Sequence, residues 1–372
     1  MKICFFGDGV ALHLWRWSRY FANKGHEVHV ITFDPNILDG YEPVKVHIIR
    51  KRMPGPALIS RIISLIPLLL DIKKIIRSIN PDIIHSHSAV GYAWMGMLIG
   101  FHPFIITPWG SDIFIDIQKS KIEKLLTTIA LKKADLITYD GNRSKKVLIE
   151  LGIEQKKIYH IYWGTDTRIF NPEQRSKEIR ENLGIFNSHM IISTKNLEPI
   201  YDIESLVKSI PLVLKKVPEA KFVIAGKGSQ EAKLKQLAKS MGISDSVKFI
   251  GFIPSNEVPK YLASADIYVC TSLSEGGLAI STKEAMACEL PVVITDLEVN
   301  TEWIKNGVNG FVISPRDHKS LAEKIVYLIE HEDVKIKFGK LGRELVKENF
   351  EYDKELEKVE NIYAQLIREH KK

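Results

Sequence analysis

Two glutamates and a pair of glycines stand close together in the stretch TSLSEGGLAISTKEAMACELP, residues 271–291. Glu275, Gly276 and Gly277 follow an apolar run typical of a β-strand, and Glu284 lies in the Ala- and Met-rich run that comes next. Glycines let a backbone approach a ligand closely, and the first N–H groups of a helix are unpaired, so the arrangement predicts an anion site. Carboxylates accept hydrogen bonds from ribose or hexose hydroxyls. Phosphate donors and hydroxyl acceptors in one pocket indicate a sugar nucleotide.

Both glutamates also have a structural interpretation. Ser281-Thr282-Lys283-Glu284 fits the S-x-x-E capping box, in which the glutamate bonds back to the N–H of the capping serine. Glu275 fits an ordinary exposed carboxylate of a loop. At the level of sequence these interpretations stay open beside the functional one.

A second glycine loop, Gly7-Asp8-Gly9, follows the first strand-like run of the chain. Together with Asp34, after the second such run, it has features of a dinucleotide-binding turn whose acid binds ribose. Leu12, however, stands where the third glycine of G-x-G-x-x-G belongs. An NAD-dependent oxidoreductase that uses Gly7 and Gly9 is therefore one alternative function.

Two further polar segments follow strand-like runs. Trp109, Gly110 and Asp112 come after the run FIIT, and ligands of open α/β sheets gather at the carboxyl ends of strands. We expect this segment to contact the ligand, with a helix cap as the alternative role for Asp112. His85 and His87 lie at the end of another strand-like run, and we interpret them as loop residues near the acceptor cleft or as residues without a special role. Two histidines are too few for a metal site.

Strand-like and helix-like runs alternate along both halves of the chain. Alternation of this kind argues for parallel sheets covered by helices on both faces. At 372 residues the chain suits two domains of moderate size, and the charged run 171–181 fits a connector between them. The strands are predicted at 3–6, 27–32, 44–49, 82–85, 104–107, 135–138 and 158–161, and at 190–193, 222–225, 247–250, 267–270, 292–295 and 311–313.

The overall composition narrows the class of partner. A formal net charge of +7 favours anionic partners, such as nucleotide phosphates or an anionic membrane surface. Nucleic acid ranks last because no nucleic-acid motif accompanies the charge. No apolar stretch of about 20 residues predicts a membrane span, and the N-terminus lacks the pattern of a signal peptide. Three distant cysteines in apolar settings indicate reduced thiols, so we expect a cytoplasmic location.

The stretch 275–291 resembles the donor-site signature of the retaining glycosyltransferases of family 4, the group 1 glycosyltransferases, which have the GT-B fold. Their signature is a glutamate with a Gly-containing loop, then a second glutamate followed by Ala-Met-Ala and a Pro-Val-Val-like strand. Here Glu275 and Glu284 occupy the two glutamate positions. Eight residues separate them, where the family usually has seven, and Glu289 stands where many members have glycine.

The resemblance extends to loops of both halves. In the first half it implies a cleft loop containing Gly7, Gly9 and His13, and it matches Trp109-Gly110 to a His-Gly or Trp-Gly pair. In the second half Lys195 stands in for an arginine that neutralises the diphosphate. Gly226-Lys227-Gly228 matches a G-x-G that lines the nucleotide pocket, and Tyr201-Asp202 occupies the place of a Lys-Gly pair.

From this resemblance we expect an α/β protein with two Rossmann-like domains facing a central cleft. An acceptor-side domain is expected at 1–168, a nucleotide-sugar-binding domain at 185–350, and a C-terminal helix at 351–372 that returns to the first domain. The implied reaction moves a hexose from a nucleoside diphosphate sugar to a hydroxyl of a glycan, lipid or small molecule, with retention, in polysaccharide biosynthesis. A nucleotide-sugar 2-epimerase is a further alternative.

In that reaction the charge that develops on the departing nucleoside diphosphate must be stabilised. We expect this charge to be met by Lys195 and by the N–H groups of Gly276, Gly277 and Leu278. The other expected roles are orientation of the sugar by Glu275, binding of ribose by Glu284, and alignment of sugar and acceptor by Asp112 and His13. The chain has no convincing Asp-x-Asp pair to hold a divalent ion, so we expect neither a cofactor nor an essential metal.

A basic and apolar region precedes the middle of the first half. A basic helix with an apolar face can lie on an anionic bilayer. The sequence therefore predicts peripheral attachment at the inner membrane face, with a core-packing helix as the alternative. The basic residues of this region are Arg50, Lys51, Arg52, Arg61, Lys73, Lys74 and Arg77.

Overall fold

A computed structural model describes residues 1–38, 40–49, 58–186 and 188–371 of the chain, with the backbone alone for residues 58–65. The chain divides into two compact units, Met1–Tyr162 with Leu356–Lys372, and Trp163–Glu355. Each unit contains a parallel sheet with helices between its strands, so the predicted α/β class with two Rossmann-like domains is confirmed. The predicted domain limits, 1–168, 185–350 and 351–372, stay a prediction beside these observed boundaries.

The first unit alternates strands and helices along the chain. Its strands are β1 (Lys2–Gly7), β2 (Glu27–Thr32), β3 (Lys45–Ile48), β4 (Ile83–His87), β5 (Phe104–Thr107), β6 (Leu136–Tyr139) and β7 (Ile158–His160). Its helices are α1 (Leu12–Asn23), α2 (Leu58–Ile79), α3 (Tyr92–Ile99), α4 (Ile117–Lys119), α5 (Lys121–Lys133) and α6 (Asn142–Glu150), with a π-helical turn at Asp112–Asp116 and a 3-10 turn at Gln155–Lys157. The described strands form one sheet in the order β3-β2-β1-β4-β5-β6-β7. This order reverses between β1 and β4.

The second unit has the same architecture. Its strands are β8 (Met190–Ser193), β9 (Lys221–Ala225), β10 (Val247–Gly251), β11 (Ile267–Cys270), β12 (Val292–Thr295) and β13 (Phe311–Ile313). Its helices are α7 (Lys177–Asn182), α8 (Ile203–Leu214), α9 (Glu231–Ser240), α10 (Val258–Ser264), α11 (Ile280–Ala287), α12 (Glu298–Thr301), α13 (His318–Glu330) and α14 (Glu332–Asn349), with 3-10 turns at Pro172–Gln174 and Pro199–Tyr201. The described strands form a sheet in the order β10-β9-β8-β11-β12-β13, which reverses between β8 and β11.

Burial explains why the strands could be recognised in the sequence. Every residue of β5, β8, β11 and β12 is buried, because helices cover both faces of a parallel sheet. Such strands are short, continuous apolar runs. The segment 171–181, which the sequence predicts as a connector, lies within the second unit, Trp163–Glu355. There the Arg180 guanidinium donates to the Ser264 carbonyl and pairs with Asp266 at 3.2 Å.

The last helix, α15 (Tyr352–His370), begins in the second unit and continues in the first. Its Tyr363 ring stacks on Phe21 of α1 with centroids 5.2 Å apart, and Glu360 pairs with His26 at 2.8 Å. The predicted return of the C-terminal helix to the first domain is confirmed. Among the helices that the structure describes, none has both the length and the apolar character needed to cross a bilayer.

Two histidines are buried inside the first sheet. β4 extends to His87, two residues beyond its predicted end at His85, so the predicted loop position is wrong for His87. His85 hydrogen-bonds the Tyr363 hydroxyl at 2.5 Å and the Thr107 hydroxyl at 2.6 Å. Burial lowers the pKa of His85 well below its usual value and that of His87 to about 3. Both rings are therefore neutral in the folded chain at neutral pH.

These histidines should make the fold sensitive to acid. An unfolded histidine titrates near pH 6.5, so below that pH the unfolded state binds more protons than the folded state. We expect the free energy of unfolding to fall as pH drops from 6.5 towards 3, by up to about 1.4 kcal/mol per pH unit for each histidine. Urea unfolding between pH 7 and pH 5 measures this slope, and His87→Phe should make it shallower. An unchanged slope in that variant would contradict the assignment.

Candidate active site

The second unit has a topological switch point where two predicted donor loops begin. β8 and β11 are adjacent parallel strands, and the chain leaves them in opposite directions along the sheet. A crevice opens outside the carboxyl ends of two such strands, and ligands of open α/β sheets bind there. Lys195 lies in the loop that follows β8, and Glu275 lies in the loop that follows β11.

Lys195 and Glu275 form a buried ion pair at this point. The Lys195 Nζ lies 2.5 Å from the Glu275 Oε1, and the two side chains are only 11% and 14% exposed. Burial by itself would lower the pKa of Lys195, but the carboxylate of Glu275 outweighs it and raises that pKa above its usual value. The ammonium is thus charged, and a lysine has three N–H donors, so further donors remain for an anionic ligand.

The Tyr201 ring contacts the same lysine. The Lys195 ammonium lies over the Tyr201 ring, 4.8 Å from its centroid, which is a cation–π contact. The hydroxyl of Thr271 donates to the Tyr201 carbonyl at 2.8 Å and so ties the two loops together. Asp202, which the resemblance matches to the glycine of a Lys-Gly pair, has a left-handed backbone with φ of 45°. Aspartate tolerates this conformation better than most residues.

The glycines of the Gly226-Lys227-Gly228 loop are needed for close packing of backbone on backbone. A Cβ on Gly226 would lie 2.4 Å from the Lys195 carbonyl oxygen, and one on Gly228 would lie 2.4 Å from that of Leu197. The Leu197 N–H donates to the Lys227 carbonyl at 2.9 Å. This loop therefore holds the Lys195 segment in place, and the side chain of Lys227 is exposed beside it.

The helix that carries Glu284 begins earlier than the capping-box interpretation requires. α11 begins at Ile280, and its N-cap is Ala279, which offers no side-chain oxygen. Ser281 is inside the helix, so the predicted capping box with Ser281 is wrong. Glu284 is buried in the middle of the helix, 7% exposed. The N-terminus of α11 lacks a side-chain cap and directly follows the loop of Gly276, Gly277 and Leu278.

The structure explains two residues in and after α11. Lys283 is fully buried, and its ammonium lies 4.9 Å from the centroid of the Phe350 ring. Glu289 follows the helix with a left-handed backbone, φ 61°, which explains the glycine that the family has at this place. Neither feature could be read from local sequence pattern, because each depends on a conformation or on a distant partner.

The first unit places Asp112 at the centre of a loop junction. Its Oδ2 accepts the Ala89 N–H at 2.7 Å, and its Oδ1 accepts the Trp109 and Ile113 N–H groups at 3.0 Å each. Burial raises the pKa of Asp112, while these N–H donors act in the opposite direction. The bonds connect the loops after β4 and β5, so they support a positioning role. Direct alignment of a sugar by Asp112 stays a prediction.

His13 and Trp109 meet beside this junction. The His13 ring contacts the Trp109 ring edge-on, with centroids 6.3 Å apart. Gly7 and Gly9 lie where a Cβ would come within 2.8 Å of Leu14 and 2.9 Å of Ile37, respectively. Gly110 has a φ of 95°, which glycine adopts freely. The structure thus places His13 of α1 next to Trp109 of the loop after β5.

Family models match most of the chain. The model for glycosyl transferase 4-like proteins matches residues 2–141, and that for glycosyl transferases group 1 matches residues 175–345, which includes Lys195, Glu275 and Glu284. The chain belongs to the group 1 glycosyltransferases. The NAD-dependent oxidoreductase alternative, which used Gly7, Gly9 and Asp34, is thereby replaced by a transferase. In this glycosyltransferase the Asp34 carboxylate accepts the Asn36 N–H at 2.8 Å in a local turn.

The glycosyltransferase is similar to several known proteins. It is 25% identical to the N-acetyl-alpha-D-glucosaminyl L-malate synthase of Bacillus anthracis over 370 residues, 95% of this chain and 93% of that one. The structure of Anabaena Alr3699/HepE in complex with UDP-glucose matches with a TM-score of 0.83 and 20% identity, covering 98% and 100% of the two chains. The sucrose-phosphate synthase of Thermosynechococcus elongatus matches with a TM-score of 0.83 and 18% identity over 99% and 100%. These likenesses confirm the GT-B fold.

The Asp112 junction generates a prediction about stability. In Asp112→Asn an NH₂ group replaces one carboxylate oxygen and meets a backbone N–H donor that has lost its acceptor. We expect the free energy of unfolding of the first unit to fall by about 1–3 kcal/mol. Asp116→Asn is the matched control, because Asp116 is partly exposed and pairs with the exposed Lys119 at 2.5 Å. Denaturant unfolding of both variants checks this, and equal losses would contradict the role given to Asp112.

Proposed function

We propose that this glycosyltransferase moves a hexose from a nucleoside diphosphate sugar to an acceptor hydroxyl, with retention of configuration at the anomeric carbon. The observation that carries the proposal is the Lys195–Glu275 pair at the carboxyl ends of β8 and β11. A fixed cation, a glycine loop and an uncapped helix N-terminus adjoin there, and together they suit a diphosphate. The adjacent carboxylate suits the hydroxyls of the attached sugar.

Charge on the departing nucleoside diphosphate is met by groups that need little reorganisation. Lys195 is held by Glu275 and Tyr201, so its ammonium is oriented before the donor arrives. The N–H groups of Gly276, Gly277 and Leu278 lie just before α11, where the helix dipole favours negative charge. Preorganised donors of this kind stabilise a transition state most where water is excluded, and the Lys195 side chain is buried.

The remaining residues act on the sugar, the ribose and the acceptor. Glu275 orients the sugar hydroxyls through the carboxylate oxygen that does not face Lys195, and Glu284 accepts bonds from the ribose. In the first unit His13 lies on the acceptor side and is placed by its contact with Trp109. Asp112 is a positioning residue that fixes the loop of Trp109 through backbone N–H groups.

The reaction is proposed to need neither a cofactor nor a divalent metal. Lys195 and the helix N-terminus provide the positive charge that a metal ion would otherwise bring to the diphosphate. The donor is proposed to be a nucleoside diphosphate hexose and the acceptor a glycan or a lipid-linked glycan. A role in polysaccharide biosynthesis fits this choice of acceptor. Similarity to a protein solved with UDP-glucose supports this donor class.

The proposal is tested by the products formed. The purified chain is screened by thermal shift against UDP, GDP, ADP and their sugars, and the best donor is then incubated with candidate acceptors in excess EDTA. The expected result is release of the nucleoside diphosphate and a product whose anomeric configuration, determined by NMR, is the same as that of the donor. An inverted linkage would overturn retention. Activity lost in EDTA and restored by Mg²⁺ or Mn²⁺ would overturn the metal-free mechanism, and epimerisation of the free donor would favour the 2-epimerase alternative.

Lys195 and Glu284 should be separable by the part of the donor that they bind. We expect Lys195→Ala to weaken binding of the nucleoside diphosphate by about tenfold or more, but to leave binding of the nucleoside nearly unchanged, because the ammonium contacts phosphate. Glu284→Gln is the matched control, since a contact to ribose should weaken both ligands together. Isothermal titration measures the four affinities. Equal losses for both ligands in Lys195→Ala would remove the lysine from the phosphate role.

We also propose that α2 attaches the protein to an anionic membrane surface. Ile66 and Leu70 are 56% and 61% exposed, and Lys74 and Arg77 continue the same stripe at helical spacing. Residues 50–57, which include Arg50, Lys51 and Arg52, lie outside the described residues, as does the side chain of Arg61. The proposal therefore depends on the described stripe of Ile66, Leu70, Lys74 and Arg77.

Membrane attachment can be measured with liposomes. We expect co-sedimentation to rise with the anionic lipid fraction, to fall with salt because the charges are screened, and to weaken in Leu70→Gln. Leu125→Gln is the matched control, since Leu125 is similarly exposed, at 59%, on α5 of the same unit. Absence of binding at low salt, or equal loss in both variants, would contradict this proposal.

A further inference from the structure

A histidine–aspartate–histidine cluster lies in the first unit, outside the residues of the proposed function. His102 precedes β5, Asp135 precedes β6, and His370 is the last residue of α15. One ligand atom from each of the three lies within 4.8 Å of the other two. Ligands of open α/β sheets bind at the carboxyl ends of strands, whereas this cluster lies at the amino ends. It therefore lies apart from the strand ends at which sugar transfer is proposed.

Asp135 is the centre of the cluster. Its Oδ2 lies 2.7 Å from the His102 Nδ1, and its Oδ1 lies 3.4 Å from the His370 Nε2. Two ligands bound to one tetrahedral Zn²⁺ at 2.0–2.1 Å are about 3.3 Å apart. Asp135 and His370 thus already have the separation that a shared ion requires. The two imidazole rings are parallel, with centroids 6.2 Å apart.

Neighbouring backbone groups hold two of these ligands in place. The His370 Nδ1 lies 3.0 Å from the Leu366 carbonyl, which can only accept, so Nδ1 is the donor of this bond. In the neutral imidazole the lone pair of Nε2 is then available to a metal ion. The Phe104 N–H donates to the Asp135 Oδ2 at 2.7 Å. A histidine whose other ring nitrogen donates to a carbonyl is the usual arrangement of a metal ligand.

We propose that His102, Asp135 and His370 bind a divalent transition-metal ion of the Zn²⁺ class, and that this ion fastens the end of α15 to the first sheet. Two imidazoles and a carboxylate are ligands that Zn²⁺ accepts, and the partial exposure of the cluster leaves water as the fourth ligand. Directly after α15, the Lys371 ammonium pairs with the Asp82 carboxylate at 3.2 Å. Exposed ion pairs contribute little to stability, so a bound metal ion would hold the end of α15 more firmly than such pairs do.

The test uses the untagged full chain, stripped with EDTA and dialysed. Titration with ZnSO₄ should give one site per chain and a rise in the thermal midpoint, because a ligand of the folded state stabilises it. The cysteines do not compete for the ion, since Cys4, Cys270 and Cys288 are all buried. Zn²⁺ should also slow amide hydrogen exchange in the last turns of α15.

Variants assign the site. His370→Gln and His102→Gln should each weaken Zn²⁺ binding at least about tenfold and abolish the protection of α15. His331→Gln is the matched control, because His331 makes the same type of bond to the carbonyl four residues before it, at 2.8 Å, in the second unit. Asp135→Asn is avoided, since it would also disturb the bond to Phe104. Absence of one-to-one binding in the wild type, or binding unchanged in both histidine variants, would overturn the proposal.

Discussion

The reversal of strand order within each parallel sheet is the constraint on which the rest of the structure depends. A chain that winds outward in both directions from two central strands leaves a crevice where the two connections part. In the second unit this happens between β8 and β11, and in the first between β1 and β4. Every donor residue assigned in the second unit lies on a loop or helix that follows one of the described strands. The order of the strands therefore determines where the proposed donor-binding residues lie.

Within the second unit, one ion pair connects the loops that the sheet brings together. Lys195 and Glu275 are 80 positions apart in the sequence and 2.5 Å apart in space. A buried charge without a partner is costly, so each side chain restricts the position of the other. Tyr201 and the glycines of the 226–228 loop then restrict Lys195 further. An oriented ammonium is consistent with phosphate binding that needs no reorganisation at the moment of reaction.

The first unit uses buried polar groups for a different purpose. Asp112 accepts backbone N–H groups from two loops, and His85 connects β4 to α15 through Tyr363. Polar groups in a dry interior are stable only when satisfied, so each of these contacts admits few alternative arrangements. The loops after β4 and β5, which lie near His13, are therefore held in place by these buried hydrogen bonds. The same unit also contacts the C-terminal helix at the amino ends of its strands, where the His370 Nε2 lies 3.4 Å from the Asp135 Oδ1.

Local pattern in the sequence determined the α/β class, most of the strands, the loops that hold Lys195 and Glu275, and the helix that carries Glu284. These features are local, because apolar runs and turn residues act over a few positions. Only the tertiary structure decided that Lys195 pairs with Glu275, that Glu284 lies mid-helix, and that His87 is buried in a strand. These contacts and positions depend on the order of the strands and on where each helix begins, and both are set by the packing of the whole unit. The left-handed backbone of Asp202 likewise follows from the packed loop and not from its own residue type.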